Sequence, residues 1–293
     1  MPVLEWKNCA RKGLIWPEPS TPTFIGGRDN VNLSAKNEAV PLFWTGGWDS
    51  TFRMLQLVVE QARCVQPYYI IDPQRLSLRH EIKAMSDIEQ EIYRQYPNTR
   101  GLILPTITAE VADIAYDEEL EQAYQAYMKI KKSDTQFYWM SRFCKQHDIH
   151  DMELCTETKA NPRPGQVGSY FLEPVGNGPE HRIADRYRDG IEFELSGRYR
   201  YPIYGMTKMD MKVYADKAGW TDIMAMTWFC HYPVKGRYPC GTCLPCELVL
   251  REGLGWRIPW HRRVYAKLGL ESLRQWGARA VRKINPGFHQ WKA

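Results

Sequence analysis

Two hydrophobic periods alternate along residues 40 to 155. Pro41-Leu42-Phe43-Trp44 is an apolar run of strand length, and Phe52, Leu55, Val58, Val59 and Ala62 follow it at helical spacing. Val65 to Ile71 reads as a second strand, with Pro67 marking an edge position or an irregular start and Asp72-Pro73 closing it. Leu78, Ile82, Met85, Ile88, Ile92 and Tyr96 recur at helical spacing until Pro97-Asn98, which predicts a helix. Gly101 to Pro105 is predicted as a third short strand, residues 112 to 130 and 134 to 147 as helices, and Met152 to Cys155 as the next strand. Such alternation calls for an α/β fold, a doubly wound and mostly parallel sheet that binds ligands beyond the carboxyl ends of its strands.

The pattern breaks from Asn161 to Tyr201, a stretch rich in Gly, Pro and Arg with an alternating run at Ile191-Glu192-Phe193-Glu194-Leu195. It reads as an inserted hairpin or lid. Regularity returns at Tyr201-Pro202-Ile203-Tyr204-Gly205, and Thr207 and Asp210 then have capping-box spacing for a helix running to about Gly219. The chain divides into an extended arm over residues 1–39, an α/β domain over 40–220, a cysteine-bearing segment over 221–254 and a basic helical tail over 255–293. In that tail Leu273, Trp276, Ala280 and Ile284 are spaced as a helix face.

Between the first strand and its helix stands Thr45-Gly46-Gly47-Trp48-Asp49-Ser50-Thr51. Two glycines let the backbone approach an anion, and the first free N–H groups of the helix point at it, joined by the hydroxyls of Thr45, Ser50 and Thr51. Asp49 would repel that anion unless a cation lay between them, so it reads as a Mg2+ ligand on a polyphosphate. The same residues also suit an ordinary helix cap. There is no Gly-x-x-x-x-Gly-Lys-Ser/Thr, so this is not the usual P-loop.

A second cluster of chemistry lies at Cys230, Cys240, Cys243 and Cys246. Four thiolates close a tetrahedral Zn2+ site without an open position, while a tight Cys-x-x-Cys-x-x-Cys also suits an iron-sulfur cluster.

These residues carry a resemblance. Gly46-Gly47-Trp48-Asp49-Ser50 resembles the Ser-Gly-Gly-x-Asp-Ser signature of the ATP pyrophosphatase (PP-loop) superfamily, with Thr45 in place of the usual Ser. With the cysteine run included, the chain is similar to the 7-cyano-7-deazaguanine synthase branch, of queuosine-biosynthesis type. Gln74-Arg75 with Arg79-His80-Glu81 is similar to that family's Gly-Gln-Arg-His segment, and Pro202 to Lys208 to its segment ending in Ser/Thr-Lys. The likeness touches most of residues 40 to 253. Ser133-Asp134-Thr135-Gln136 stands where the family has Gly-Arg-Asn, and Asn161-Pro162-Arg163-Pro164 where it has Asp-Cys-Arg-Pro.

The resemblance implies an adenine nucleotide alpha hydrolase-like fold and the cofactors ATP, Mg2+ and Zn2+. It implies nucleotide binding by Thr45, Gly46, Gly47, Asp49, Ser50 and Thr51, and catalytic roles for Asp49 and Lys208. The implied reaction is ATP-dependent adenylation of a 7-deazapurine carboxylate, followed by ammonia attack to an amide or nitrile. Three other readings stay open: tRNA thiolation through Cys64, Cys144 or Cys155, conjugation of a deazaguanine to a macromolecule, and a nucleotide-dependent binding module with a structural zinc.

Bulk properties change this picture little. The chain has 293 residues with 44% hydrophobic and 25% charged residues and a mean hydropathy of −0.51, ordinary for soluble protein, and no stretch has the length of a membrane span. The start, Met1-Pro2-Val3-Leu4-Glu5-Trp6, has no leader pattern, so a cytoplasmic protein is expected. The net charge of +5 is unevenly placed, because residues 255–293 hold nine Lys or Arg against Glu271 alone. A nucleic acid or protein partner through that tail is therefore admissible, as is a homodimer.

Overall fold

The structure, a computed structural model, describes residues 39–130, 135–157 and 170–268. The expectations placed on the N-terminal arm, on Asn161 to Pro164 and on the helix face from Leu273 to Ile284 lie outside those residues. β1 (Val40–Phe43) leads into α1 (Trp48–Leu55), and β2 (Val65–Ile71) into α2 (Leu78–Gln95). β3 (Ile107–Glu110) is followed by α3 (Glu118–Ile130) and α4 (Thr135–Gln146), and then comes β4 (Met152–Glu153). A hairpin of β5 (Leu172–Pro174) and β6 (His181–Ile183) precedes α5 (Ile191–Ser196) and β7 (Tyr199–Arg200). α6 (Lys208–Ala218), α7 (Thr221–Ala225), α8 (Leu244–Arg251) and α9 (Trp260–Lys267) complete the described chain.

Five strands form one sheet in the order β3-β2-β1-β4-β7, and each neighbouring pair is parallel. Successive strand residues serve opposite faces, as the pleat requires. Leu42 joins the buried cluster built with Phe52, Leu55, Ile88 and Ile92 of α1 and α2, whereas Phe43 joins Met140, Phe143 and Cys144 of α4. Both faces of the sheet are therefore covered, the arrangement parallel sheets need. A third cluster, with Tyr124, Tyr127, Tyr138, Phe171 and Leu195, holds the inserted hairpin and α5 against α3 and α4. No helix among the described residues is long and apolar enough to cross a membrane.

Local chemistry sets several boundaries. At the start of α6 Asp210 N–H donates to Thr207 Oγ1 (3.1 Å) while the Asp210 carboxylate accepts from Thr207 N–H (2.8 Å), and Gly219 ends the helix at φ 76°. α3 begins later than its apolar period suggested, because Asp117 accepts from Leu120 N–H (2.9 Å) and caps the helix there.

Three expectations need correction. The third strand is not Gly101 to Pro105: only Ile103 bridges to Val65, and pairing resumes at Ile107 opposite Tyr68 with the register slipped by one residue. Pro105 has no N–H to give a ladder, and one extra residue is accommodated around it. Ile191 to Leu195 is a helix, not an alternating strand, with Glu192, Leu195 and Ser196 buried on one side. The α1 helix passes into a wider turn over Gln56–Glu60, closed by Gln61 N–H on Gln56 O (3.0 Å), and Ala62 lies beyond it at φ 48°. Just before the segment where regularity was expected to return, Tyr199–Arg200 forms the last strand, and Tyr201 makes an isolated antiparallel bridge to His181, tying the hairpin to the sheet.

Removing the α6 cap with Thr207→Ala should cost about 1 kcal/mol, and truncating the fully buried Ile88 with Ile88→Ala about 2–5 kcal/mol. Urea unfolding of each variant at an unchanged slope checks both values.

Candidate functional site

The site begins with a backbone constraint. Gly46 has φ 66°, a left-handed conformation that side-chain-bearing residues rarely adopt. A Cβ there would stand 3.1 Å from Glu81 O, Met85 N and the Ala84 side chain, so the turn is pressed directly onto α2. Gly47 then caps α1 in an extended conformation, and the first helical bond runs from Thr51 N–H to Gly47 O (3.1 Å). The amides of Trp48, Asp49 and Ser50 precede that bond and have no carbonyl within the helix to meet. Ser50 is buried. Thr51 is fully buried, and its Oγ1 accepts from Trp44 Nε1 (3.1 Å), so this hydroxyl braces the strand against the helix. Thr45 stays partly accessible, with its Oγ1 3.2 Å from the position of a Gly47 Cβ.

Three charged groups converge from three strand ends. The chain lays β2 and β3 on one side of β1 and returns to the other side at β4, so the direction of winding switches between β1 and β4. In open parallel sheets the crevice at such a switch point, outside the carboxyl ends, is where ligands bind. Asp49 follows β1, Glu157 follows β4, and Lys208 follows β7. Lys208 Nζ lies 2.6 Å and 2.8 Å from the two Asp49 oxygens and 3.5 Å from Glu157 Oε1. Burial works to lower the Lys208 pKa, but Asp49 and Glu157 outweigh it and hold the ammonium above its ordinary range. Below them Arg53 of α1 makes a two-pronged pair with Glu153 of β4, at 2.8 Å on each arm, fixing helix to strand beside the crevice.

The segment leading to the cysteines closes over the same turn. Trp228 N–H donates to Gly46 O (2.9 Å), and the Trp228 ring stacks on His80 of α2, with centroids 4.2 Å apart and planes 12° apart. Burial lowers the His80 pKa, with Glu81 opposing. Arg257 reaches in from beyond α8. Its guanidinium lies between the Trp48 ring (4.9 Å) and the Phe229 ring (4.7 Å) and donates to Thr227 O and Thr227 Oγ1. Burial brings its pKa down to about 10, opposed by Asp49, so it remains a cation at neutral pH. Arg75 and Glu81 are held structurally: the buried Glu81 accepts from Tyr69 OH (2.7 Å) and Ser77 Oγ (2.6 Å), and Arg75 lies 3.4 Å from it.

Cys230, Cys240, Cys243 and Cys246 are all buried, and their sulfur atoms lie within 4.8 Å of one another. Cys240 and Cys246 sulfurs are 3.8 Å apart and Cys230 and Cys243 sulfurs 3.9 Å apart. Those separations are far longer than a disulfide. They match the about 3.8 Å edge of a tetrahedron of sulfurs about 2.3 Å from a central zinc ion. Amide N–H groups of Cys240, Thr242 and Cys243 point at sulfurs at 3.1, 3.4 and 3.2 Å, as thiolate ligands favour. The Cys240 thiol is held well below its ordinary range, first by the Cys230 thiol and then by those of Cys243 and Cys246. The cluster could thus bind a metal such as zinc. By contrast Cys144 is pushed up to about 12 and Cys155 well above its ordinary value by burial, so neither is an activated thiolate.

Sequence reasoning had Asp49 and Lys208 and missed their companions. Glu157 carries no motif; its one signal is its place just beyond a predicted strand. Arg257 was one cation among several in a basic stretch. Compared with protein-family models, curated proteins and solved structures, the chain matches none.

Cys243→Ser should lower bound metal from about one ion per chain and reduce stability with it, read by elemental analysis alongside thermal unfolding. Gly46→Ala should destabilise by about 1–3 kcal/mol, since strain and a backbone clash coincide.

Proposed function

We propose that the chain is an ATP-dependent ligase that adenylates a carboxylate at the crevice between β1 and β4, with chemistry of the PP-loop, 7-cyano-7-deazaguanine synthase type. The observation that supports this reading most is the convergence of Asp49, Glu157 and Lys208 from three neighbouring strand ends beside the Gly46-Gly47 turn. A carboxylate is a poor electrophile. Its oxygen attacks the α-phosphorus of ATP, the bond to the bridging oxygen breaks, and pyrophosphate leaves with the electron pair. Ammonia then attacks the acyl carbon, a proton is lost and AMP departs, leaving an amide. Attack of the amide oxygen on the α-phosphorus of a second ATP releases a second pyrophosphate, and loss of AMP and the two nitrogen-bound protons gives a nitrile.

The chain's own groups suit these steps by position and charge. The amides of Trp48, Asp49 and Ser50 and the Thr45 hydroxyl receive the outer phosphates. Lys208 turns from the two carboxylates to the oxygens of the departing pyrophosphate, and Arg257, held by Thr227 and the Trp48 and Phe229 rings, offers a second cation beside the turn. Asp49 and Glu157 are the residues that would hold Mg2+, which supplies charge neutralisation on the polyphosphate. Zinc at the four cysteines is structural in this reading, because all four positions of a tetrahedral ion are filled. Of the three thiolation candidates, Cys144 and Cys155 are held as thiols by desolvation, which leaves Cys64, half-buried, as the one on which that alternative rests.

Incubation with ATP, Mg2+, ammonium and candidate 7-deazapurine acids, with nucleotides resolved and product weighed, tests the reading. AMP and pyrophosphate are expected, and ADP as the sole nucleotide product overturns it. Asp49→Asn should cut AMP formation by a hundredfold or more, on the order of one lost charge-stabilising contact, with the metal content of the cysteine cluster and the folded state at assay temperature retained. Turnover at the parent rate in that variant removes Asp49 from the chemistry.

A further inference from the structure

Away from the crevice, α9 packs on the cysteine loop. Arg262 Nε donates to Cys240 O (2.8 Å), and a Cβ on Gly241, at φ 82°, would stand 2.8 Å from Arg262 O. Beside this contact Tyr238, His261 and Trp260 form a continuous row. Ring centroids are 6.1 Å apart between Tyr238 and His261 and 6.0 Å apart between His261 and Trp260, with planes at 88° and 90°. All three are exposed, Trp260 to 70% and Tyr238 to 41%, and Trp256 just before α9 is 49% exposed. Meeting edge to face, the rings do not spend themselves in stacking on each other.

The charge along the two segments that carry the row has one sign. Lys235 and Arg237 in the loop and Lys267 on α9 are exposed. Neither residues 230–246 nor residues 253–268 include an Asp or Glu. The sequence beyond Leu268 adds Arg274, Arg279, Arg282, Lys283 and Lys292 against Glu271. An acidic peptide would use the cations and leave the rings without matching planar partners. Unpaired bases use both, since every base has a face to stack and every link a phosphate to neutralise.

We propose that this face binds single-stranded nucleic acid, with bases against Tyr238, His261 and Trp260 and phosphates toward Lys235, Arg237 and Lys267. The surface is separate from the crevice, and its test needs no turnover. A fluorescein-labelled single-stranded RNA or DNA oligonucleotide is titrated with the full, metal-loaded chain and followed by anisotropy, beside the matching duplex and vesicles of phosphatidylcholine and phosphatidylserine.

The single strand should bind more tightly than the duplex. Trp260→Ala should weaken it about tenfold to a hundredfold, the value of one stacked base, while Trp260→Phe restores most of the affinity. Lys235→Gln with Arg237→Gln should reduce the salt slope by about 1.4, as two lost phosphate contacts require. Metal content and AMP formation of these variants should equal those of the parent, separating this surface from the crevice chemistry. Absence of binding at low salt, equal affinity for duplex and single strand, indifference to Trp260→Ala, or attachment to vesicles in place of oligonucleotide each overturns the proposal.

Discussion

Gly46 is constrained from three sides at once. Its φ of 66° favours glycine, the backbone of α2 leaves no room for a Cβ, and its carbonyl is taken by the Trp228 amide. The turn between β1 and α1 is therefore fixed by contacts on both its walls, one from α2 and one from the approach to the cysteines. A loop so held has little conformational freedom left to lose on meeting a ligand. The stack of His80 on Trp228 and the seat of Arg257 between Trp48 and Phe229 tie the same three segments together. Gly46 adds to these side-chain ties a backbone contact that reaches both neighbours from one residue.

Elements with strong local signatures were legible in the sequence. α2 carries a long, uninterrupted period, and β2 was legible despite Pro67, which lies inside the sheet ahead of the pairing with β3. α6 announces both its ends through Thr207, Asp210 and Gly219, and the four cysteines cluster as their spacing suggested. The inserted hairpin was also visible as a break in rhythm, and part of it is the β5 and β6 pair. What misled was short and ambiguous. Five residues from Ile191 to Leu195 alternate like a strand, yet α5 puts Glu192 and Leu195 on its buried side and leaves Phe193 outward. Pro105 displaced the third strand by breaking the ladder that Ile103 had begun.

The candidate site divides along the same line. Asp49 and Lys208 lie inside recognisable local patterns, and the fold brings them within 2.6 Å of each other. Glu157 and Arg257 join them through tertiary geometry alone: one by following β4 at the winding switch, the other by returning across the turn from beyond α8. A reading confined to neighbours in sequence has no term for such encounters. The buried Thr51 shows the converse, since a hydroxyl placed by motif at the ligand serves Trp44 instead.

The crevice straddles a seam that is short and distant in sequence. β1 and β4 touch through residue 42 and residue 153, with α1, β2, α2, β3, α3 and α4 intervening. Closing so long a loop costs entropy that only the finished pairing recovers, and such contacts form slowly. The half built from β1, β2 and α2 can condense first through nearby contacts, leaving the other edge of β1 open as a template for stray strands until β4 arrives. In this molecule one short pairing both shapes the crevice and covers an otherwise open edge of β1.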